Sequence, residues 1–426
     1  MTELHQLSAS VAAKKIQANE LKSEDLIRSC IERIREREPI TQAWVETNFD
    51  AAIERARYLD RSANLGPLHG IPFGAKDLFD THDFPTRLGS TIYENNHPSS
   101  DAVHIALMRQ AGGVLLGKTV TTEFATFKGG KTTNPHNPEY TPGGSSSGSA
   151  AAVADDMIPI ATGSQTAGSV IRPAAFCGVV GYKPTYGKVS LGGVKSLSPS
   201  LDTLGSFSRT VADAALCVAA MSGDHQLATI HKIKQKPRIA TCLTYDGELA
   251  STETITAIHH AALLAEDVFR TQVPAIDLPT IFKDMSALQG RIMWSESARS
   301  FSFEQNNHSE QLSQQLKGLI KLGSAITYEQ YSNDLIVAEK ARALIDQLLT
   351  GSWDVLIAPS AIGEPTKGLT QTGDPIFCRV WTLMGLPCIT LPLYKGPNHL
   401  PVGVQLVAAR GRDALLLSVA DALMKA

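Results

Sequence analysis

Charge is scarce in this 426-residue chain: Asp, Glu, Lys and Arg make up only 19%, with 39 basic against 42 acidic residues and a net charge of −3. No long run of one sign occurs, and the densest stretch, Glu32 to Glu38, alternates. Such a chain lacks the electrostatic footprint of a nucleic-acid or anionic-membrane binder. The longest nearly unbroken apolar run, Ala214 to Met221, is far short of the ~20 residues that span a bilayer. The N-terminal Met1-Thr2-Glu3-Leu4-His5 has no basic segment followed by an apolar one, so an untargeted cytoplasmic protein is expected. Cysteine is also sparse: Cys30, Cys177, Cys217, Cys242, Cys378 and Cys388 form no Cys-x-x-Cys pair. Buried thiols in a reducing compartment are expected, rather than disulfides or metal ligands. No His-Glu-x-x-His or other metal spacing occurs, and neither a metal nor a cofactor is expected.

What the chain does have is 43% hydrophobic residues, 33 glycines and 22 prolines. These predict a large core with many tight turns and exclude disorder and fibrous repeats. At roughly 150 residues per domain the length allows two or three domains, or one large α/β unit. With no internal repeat and no linker-like segment, a single domain over 1–426 is favoured. It divides into N-terminal helices (about 1–65), a core (about 66–220) and a C-terminal half (about 235–426).

Ser23 reads as an N-cap, with Leu26, Ile27, Cys30, Ile31 and Ile34 following at helical spacing. Further helices are predicted over 50–59, 101–110, 251–270, 285–300, 309–350 and 412–425. Strands or strand-like segments are predicted over 68–77, 114–117, 158–161, 238–242, 354–358, 388–391 and 402–407. Strands interleaved with helices imply a layered α/β architecture. Two Gly/Ser loops, 134–149 and 162–169, sit close together, and functional groups favour loops held by rigid elements.

Two familiar patterns do not fit their context. Gly112 to Thr119 matches the phosphate-loop pattern, but its middle residues Val114-Leu115-Leu116 read as a strand rather than a turn of inward N–H groups. Gly144-Ser145-Ser146-Ser147-Gly148 matches a nucleophile elbow around Ser146, but proline-rich coil precedes it where a strand is required.

Three segments remain: Gly74-Ala75-Lys76-Asp77, Pro142 to Ala150, and Gly163 to Ala174. They offer a lysine on a mostly apolar segment, several serines, and a turn with successive backbone N–H groups. Those are the parts of a Ser-Lys hydrolase. A serine hydroxyl needs a base, and lysine serves only if burial brings its pKa toward neutrality. Ile71 and Phe73 can supply that burial. The turn Thr166-Ala167-Gly168-Ser169 can offer N–H groups to an oxyanion. By residue type alone, Ser145, Ser146, Ser147 and Ser149 are equivalent. Asp77 is in tension with a neutral Lys76, unless its side chain points away and caps a local turn.

The stretch from Thr141 to Pro184 resembles the Gly/Ser-rich region of the amidase signature family, and Ala75-Lys76-Asp77 resembles that family's lysine motif. In the C-terminal half, Thr372 to Pro375, Trp381 to Cys388 and Leu400 to Gln405 are most similar to small malonamidase-type members. The resemblance implies the amidase signature fold, a central mixed β-sheet covered by helices on both faces, with the C-terminal half contributing pocket walls. It also implies a catalytic set of Lys76 as base, Ser145 as bridging serine in a cis peptide, and Ser169 as acylated nucleophile. The N–H groups of Thr166, Ala167, Gly168 and Ser169 would form the oxyanion hole. Ala167 stands where many members have glycine; the extra methyl narrows the turn without removing an N–H.

On the same resemblance Arg172 either pairs with a substrate carboxylate or braces the nucleophile loop, and Arg379 and Trp381 are pocket-wall candidates. The expected activity is hydrolysis of a small-molecule amide, with no nucleic-acid or membrane partner and a homodimer left open. The alternative is the glutaminase subunit of a tRNA-dependent amidotransferase. Against it, the chain is short and Pro375 to Arg379 lacks the expected substrate-binding acid, Asp374 being out of register.

Overall fold

A computed structural model describes residues 3–63 and 66–426. Met1, Thr2, Asn64 and Leu65, inside the expected N-terminal helical region, lie outside the described residues. Ten strands form one sheet: β1 (Trp44–Thr47), β2 (Pro72–Lys76), β3 (Val114–Thr119), β4 (Ile160–Gln165), β5 (Val180–Lys183), β6 (Thr203–Ser208), β7 (Ile239–Thr241), β8 (Val355–Pro359), β9 (Cys388–Lys395) and β10 (Pro401–Val407). Their order is β1-β3-β2-β4-β6-β5-β9-β10-β8-β7. β2 runs parallel to β3 and β4, and β7 runs parallel to β8; the other neighbours are antiparallel.

Every residue of β2, β3, β4, β5, β6, β8 and β10 is buried. Because side chains alternate between faces, a strand buried at every position must be covered on both sides. Helices Ser147–Ala154, Ile171–Cys177, Val211–Ser222, Thr252–Phe269 and Asp413–Met424 provide that cover. The class expected from the sequence, α/β with a mixed sheet between helical layers, is the one observed. All six cysteines are buried and free.

Several local expectations are corrected. Ser23 is the first residue of helix Ser23–Thr41 rather than its cap, and Lys22 before it supplies no side-chain cap. The Asp60 carboxylate accepts from the N–H groups of Ser23 (2.7 Å) and Glu24 (3.1 Å), so a remote acid caps this helix. The helix expected over 309–350 is two, Gln314–Ser324 and Tyr328–Gly351. Thr327 restarts it with a reciprocal capping box to Gln330. β4 runs through Gln165, which confines the second Gly/Ser turn to 166–169. β1, β5 and β6 were not anticipated.

Gly148 fixes how the serine loop docks. A Cβ there would lie 2.2 Å from Ala43 O and 2.3 Å from Val120 N, so helix Ser147–Ala154 rests directly on the backbone beyond β3. Only glycine permits that approach.

Asp60→Ala should cost about 1 kcal/mol of stability in urea unfolding, while Asp60→Asn retains most of it. Equal stability of Asp60→Ala and the unmodified protein would show that water caps these amides equally well.

Candidate active site

Lys76 is the last residue of β2, and Ser164 lies near the end of β4, the parallel neighbour. Both therefore emerge at the carboxyl end of parallel strands, where α/β sheets place their sites. Lys76 is 0% exposed. Its Nζ lies 2.7 Å from Ser145 Oγ and 2.8 Å from Ser164 Oγ. Burial brings its pKa down to about 7, partly opposed by the negative charge of Asp202.

Asp77 does not hold a proton on Lys76. Successive residues of a strand face opposite sides, and Asp77 pairs instead with the buried Lys118 at 3.2 Å. It also accepts from the Arg87 N–H. The turn-capping role expected of it is found, together with an ion pair that was not foreseen. Lys118 is the lysine of the accidental phosphate-loop pattern, and Gly112 to Thr119 ends in β3 rather than in a phosphate-binding turn.

The serine loop separates residues that composition could not. The Gly144–Ser145 peptide is cis. Ser145 alone among its neighbours reaches Lys76. Ser146 Oγ faces the backbone of Ser164 (3.4 Å to both N and O), Ser147 donates to Val120 O (3.4 Å), and Ser149 donates to Thr162 O (2.8 Å). The elbow reading of Ser146 therefore fails on geometry as well as on context.

Ser169 sits in the turn before helix Ile171–Cys177 and keeps 9% of its surface exposed. The turn's carbonyls are drawn outward one by one. Thr166 O accepts from Gln289 Nε2 (2.9 Å), Ala167 O from Thr382 Oγ1 (2.8 Å) and Gly168 O from Arg172 N (2.9 Å). Gln165 Oε1 takes the N–H groups of Val170 and Ile171, and its Nε2 donates to Thr382 Oγ1. The N–H groups of Thr166, Ala167, Gly168 and Ser169 find no acceptor among the described residues. Backbone donors left unpaired in this way are free to take a ligand oxygen.

Arg172 is 1% exposed. Its Nη2 donates to Gly144 O, the carbonyl of the cis peptide, at 2.7 Å and to Thr372 Oγ1 at 3.2 Å, and its Nε donates to Thr372 O at 2.6 Å. The Nη1 nitrogen is buried without a partner among the described residues. Trp381 is fully buried in the core, its indole N–H also unpartnered among the described residues. Arg379 is half-buried on helix Ile376–Leu383. Sequence reasoning missed Ser164, Gln165, Gln289, Thr372 and Thr382 as site residues. Ser164 and Gln165 carried a local signal as members of the second Gly/Ser segment, and Thr372 and Thr382 lay in the C-terminal motifs of the resemblance without an assigned role; Gln289 carried none.

The chain matches the Amidase family model over residues 25–417. It is 31% identical to a glutamyl-tRNA(Gln) amidotransferase subunit of Endomicrobium trichonymphae, covering 99% of this chain and 97% of that one. Among solved structures, an amidase superposes with a TM-score of 0.88 at 28% identity, covering 98% of this chain and 99% of that one. The corresponding glutamyl-tRNA(Gln) amidotransferase subunit from Thermotoga maritima superposes with a TM-score of 0.81 at 27% identity, covering 100% and 96%. The sequence relatives are amidotransferase subunits, and the closeness to the malonamidase type that the C-terminal motifs suggested is not supported. On its matched length, its sheet order and its relatives, the chain belongs to the amidase signature family of amidohydrolases.

Proposed function

We propose that this chain hydrolyses an amide C–N bond through a Ser169–Ser145–Lys76 relay and an acyl-enzyme. The observation that carries the reading is Lys76: a fully buried amine, brought to a pKa of about 7, at 2.7 Å from the Ser145 hydroxyl. A neutral amine accepts the Ser145 proton as Ser145 accepts that of Ser169. The Ser169 oxygen then attacks the carbonyl carbon, and the oxyanion is held by the N–H groups of residues 166–169. Collapse breaks the C–N bond, and the leaving nitrogen takes the proton back from Lys76 by way of Ser145. Water, deprotonated along the same relay, releases the acid and restores Ser169.

Two substrate readings share the chemistry. Relatedness favours the glutaminase subunit of an amidotransferase, which would act on glutamine beside partner subunits; the named relatives support it directly. The free-standing small-amide hydrolase expected from the sequence keeps one observation in its favour. The helix following Asp374 sets Pro375 and Cys378 against the nucleophile turn, with Arg379 on the same helix, where a glutamine-binding acid would be expected. In both readings Arg172 braces the cis-peptide loop, since two of its three nitrogens are committed to Gly144 and Thr372.

Ser169→Ala and Ser145→Ala should each lower amide turnover by ~10³-fold or more; full turnover by Ser169→Ala would refute the relay. Because the neutral amine is the base, kcat/KM should rise with pH through about 7. The same group links to stability. Its folded pKa lies below the unfolded value of ~10.4, so between the two the unfolded chain holds the extra proton. Stability should therefore rise by about 1.4 kcal/mol per pH unit in that window, relative to Lys76→Met. A pH-independent difference between the two proteins would place the Lys76 pKa outside the window. Ammonia release by the purified chain from malonamate, neutral amides, aromatic amides and glutamine separates the substrate readings. Glutamine turnover only with added partner subunits identifies the amidotransferase; turnover of small amides by the chain alone identifies the free-standing amidase.

A further inference from the structure

Four arginines have a buried nitrogen without a hydrogen-bond partner among the described residues: Arg87, Arg109, Arg172 and Arg379. The first two still reach carboxylates, Arg87 with Glu46 at 2.7 Å and Arg109 with Asp83 at 2.6 Å and Asp101 at 3.1 Å. Arg172 and Arg379 reach none among the described residues. Burying a guanidinium without a counter-charge is costly, and a ligand anion that pairs with it offsets that cost.

The two uncompensated arginines lie close enough for their charges to repel. A Cβ on Gly168 of the nucleophile turn would lie 3.0 Å from Arg172 Nη1, 2.8 Å from Pro375 Cβ and 3.2 Å from Cys378 Cβ. Pro375, Cys378, Arg379 and Thr382 follow the i, i+3, i+4, i+7 spacing that gives one helix face, and Thr382 on that face holds Ala167 O. On its far side Arg379 Nη1 would meet a Cβ on Gly290 at 3.1 Å. The residue before Gly290, Gln289, holds Thr166 O. Arg379 is thus wedged between the two elements that hold the oxyanion turn, and its side chain makes no hydrogen bond among the described residues. The charges facing it are Arg172, which repels it, and Asp374 and Asp246, which attract it from beyond ion-pair distance. Asp374 is exposed and Asp246 accepts from Ser286 Oγ.

Resting on the amide-hydrolase reading above, we propose that Arg379 is a specificity-determining residue that binds an anionic group of the substrate, a carboxylate on the acyl portion, together with the free Nη1 of Arg172. Arg172 offers one N–H-bearing nitrogen because the rest of its guanidinium is held by Gly144 and Thr372. The Arg379 guanidinium makes no hydrogen bond or ion pair among the described residues, so it supplies the second cationic donor for a carboxylate that engages Arg172 Nη1. Both substrate readings include amides of this kind, malonamate for one and glutamine for the other.

The test compares amides that differ only by a carboxylate in place of a methyl: malonamate against propionamide, and succinamate against butyramide. The unmodified chain should favour the carboxylated member of a pair in kcat/KM. Arg379→Gln should lower that preference by at least ~tenfold, and Arg379→Lys should restore part of it. A loss that falls equally on both members, leaving the ratio unchanged, would mean that Arg379 only supports the fold, and a ratio near one in the unmodified chain would overturn the proposal outright. Calorimetric binding of malonate to Ser169→Ala provides a readout independent of turnover. It should weaken by at least ~tenfold when Arg379→Gln is added, and equal binding in the two proteins would also overturn the proposal. If malonate binds in an Arg379-dependent way while no amide is hydrolysed, the anion site stands and the relay reading fails.

Discussion

The structure depends on how three lysines are kept away from water. Lys76, Lys118 and Lys183 are each 0% exposed, and burial lowers the pKa of all three. Their partners differ in kind. Lys118 has the Asp77 carboxylate, the carbonyls of Phe79 and Pro85, and the Thr86 hydroxyl, whose own proton goes to Phe79 O; Lys183 has the carbonyls of Pro184 and Leu386. Carboxylates and carbonyls only accept, so they are satisfied by an ammonium. Lys76 has two hydroxyls, which accept from an ammonium and donate to an amine with equal ease. Of the three sites, only this one accommodates both protonation states without leaving the amine lone pair facing an acceptor, and a general base needs both.

Asp77 and Lys118 make that possible. An acid directly after Lys76 would hold it charged if it turned the same way. Strand alternation sends it to the opposite face, and a second buried lysine on β3 occupies it there. Lys118 is therefore explained as the counter-ion that keeps Asp77 engaged, which is what the phosphate-loop pattern in the sequence turned out to contain.

The fold class was legible because strands and helices alternate in the hydrophobic pattern, and the burial of Lys76 was legible from the apolar segment around it. The strands that were missed are informative. β6, Thr-Leu-Gly-Ser-Phe-Ser, is buried throughout yet half polar, because a central strand can bury small hydroxyl residues that bond to nearby carbonyls, as Ser206 and Ser208 do. Periodicity sees no strand there. The break at Thr327 was written in the chain as Thr-x-x-Gln, a capping signal that the long apolar pattern around it obscured. Four serines in the loop were equivalent by type, and the resemblance alone picked Ser145; the hydrogen bonds of the others supply a physical reason for the same choice. The roles of Gln289, Thr372 and Thr382 were not legible, even though the last two lie in quoted motifs, because each acts on a residue more than a hundred positions away.

Those distant residues divide the labour of the site. Lys76, Ser145, Ser164 and Ser169 come from the segment between β2 and helix Ile171–Cys177, whereas the atoms that pull the turn's carbonyls aside and anchor the cis-peptide loop come largely from 289 and 372–382. In the proposed reaction the first group meets an atom common to every amide, the carbonyl carbon. The second shapes the turn from behind and, in the proposed anion site, meets the acyl portion. On that proposal, altering helix Ile376–Leu383 changes which amide is accepted without moving the amine or its hydroxyls, provided Thr382 and the Thr372 contacts to Arg172 are kept. That separation is a physical reason for one sheet order to serve relatives as differently named as an amidase and an amidotransferase subunit.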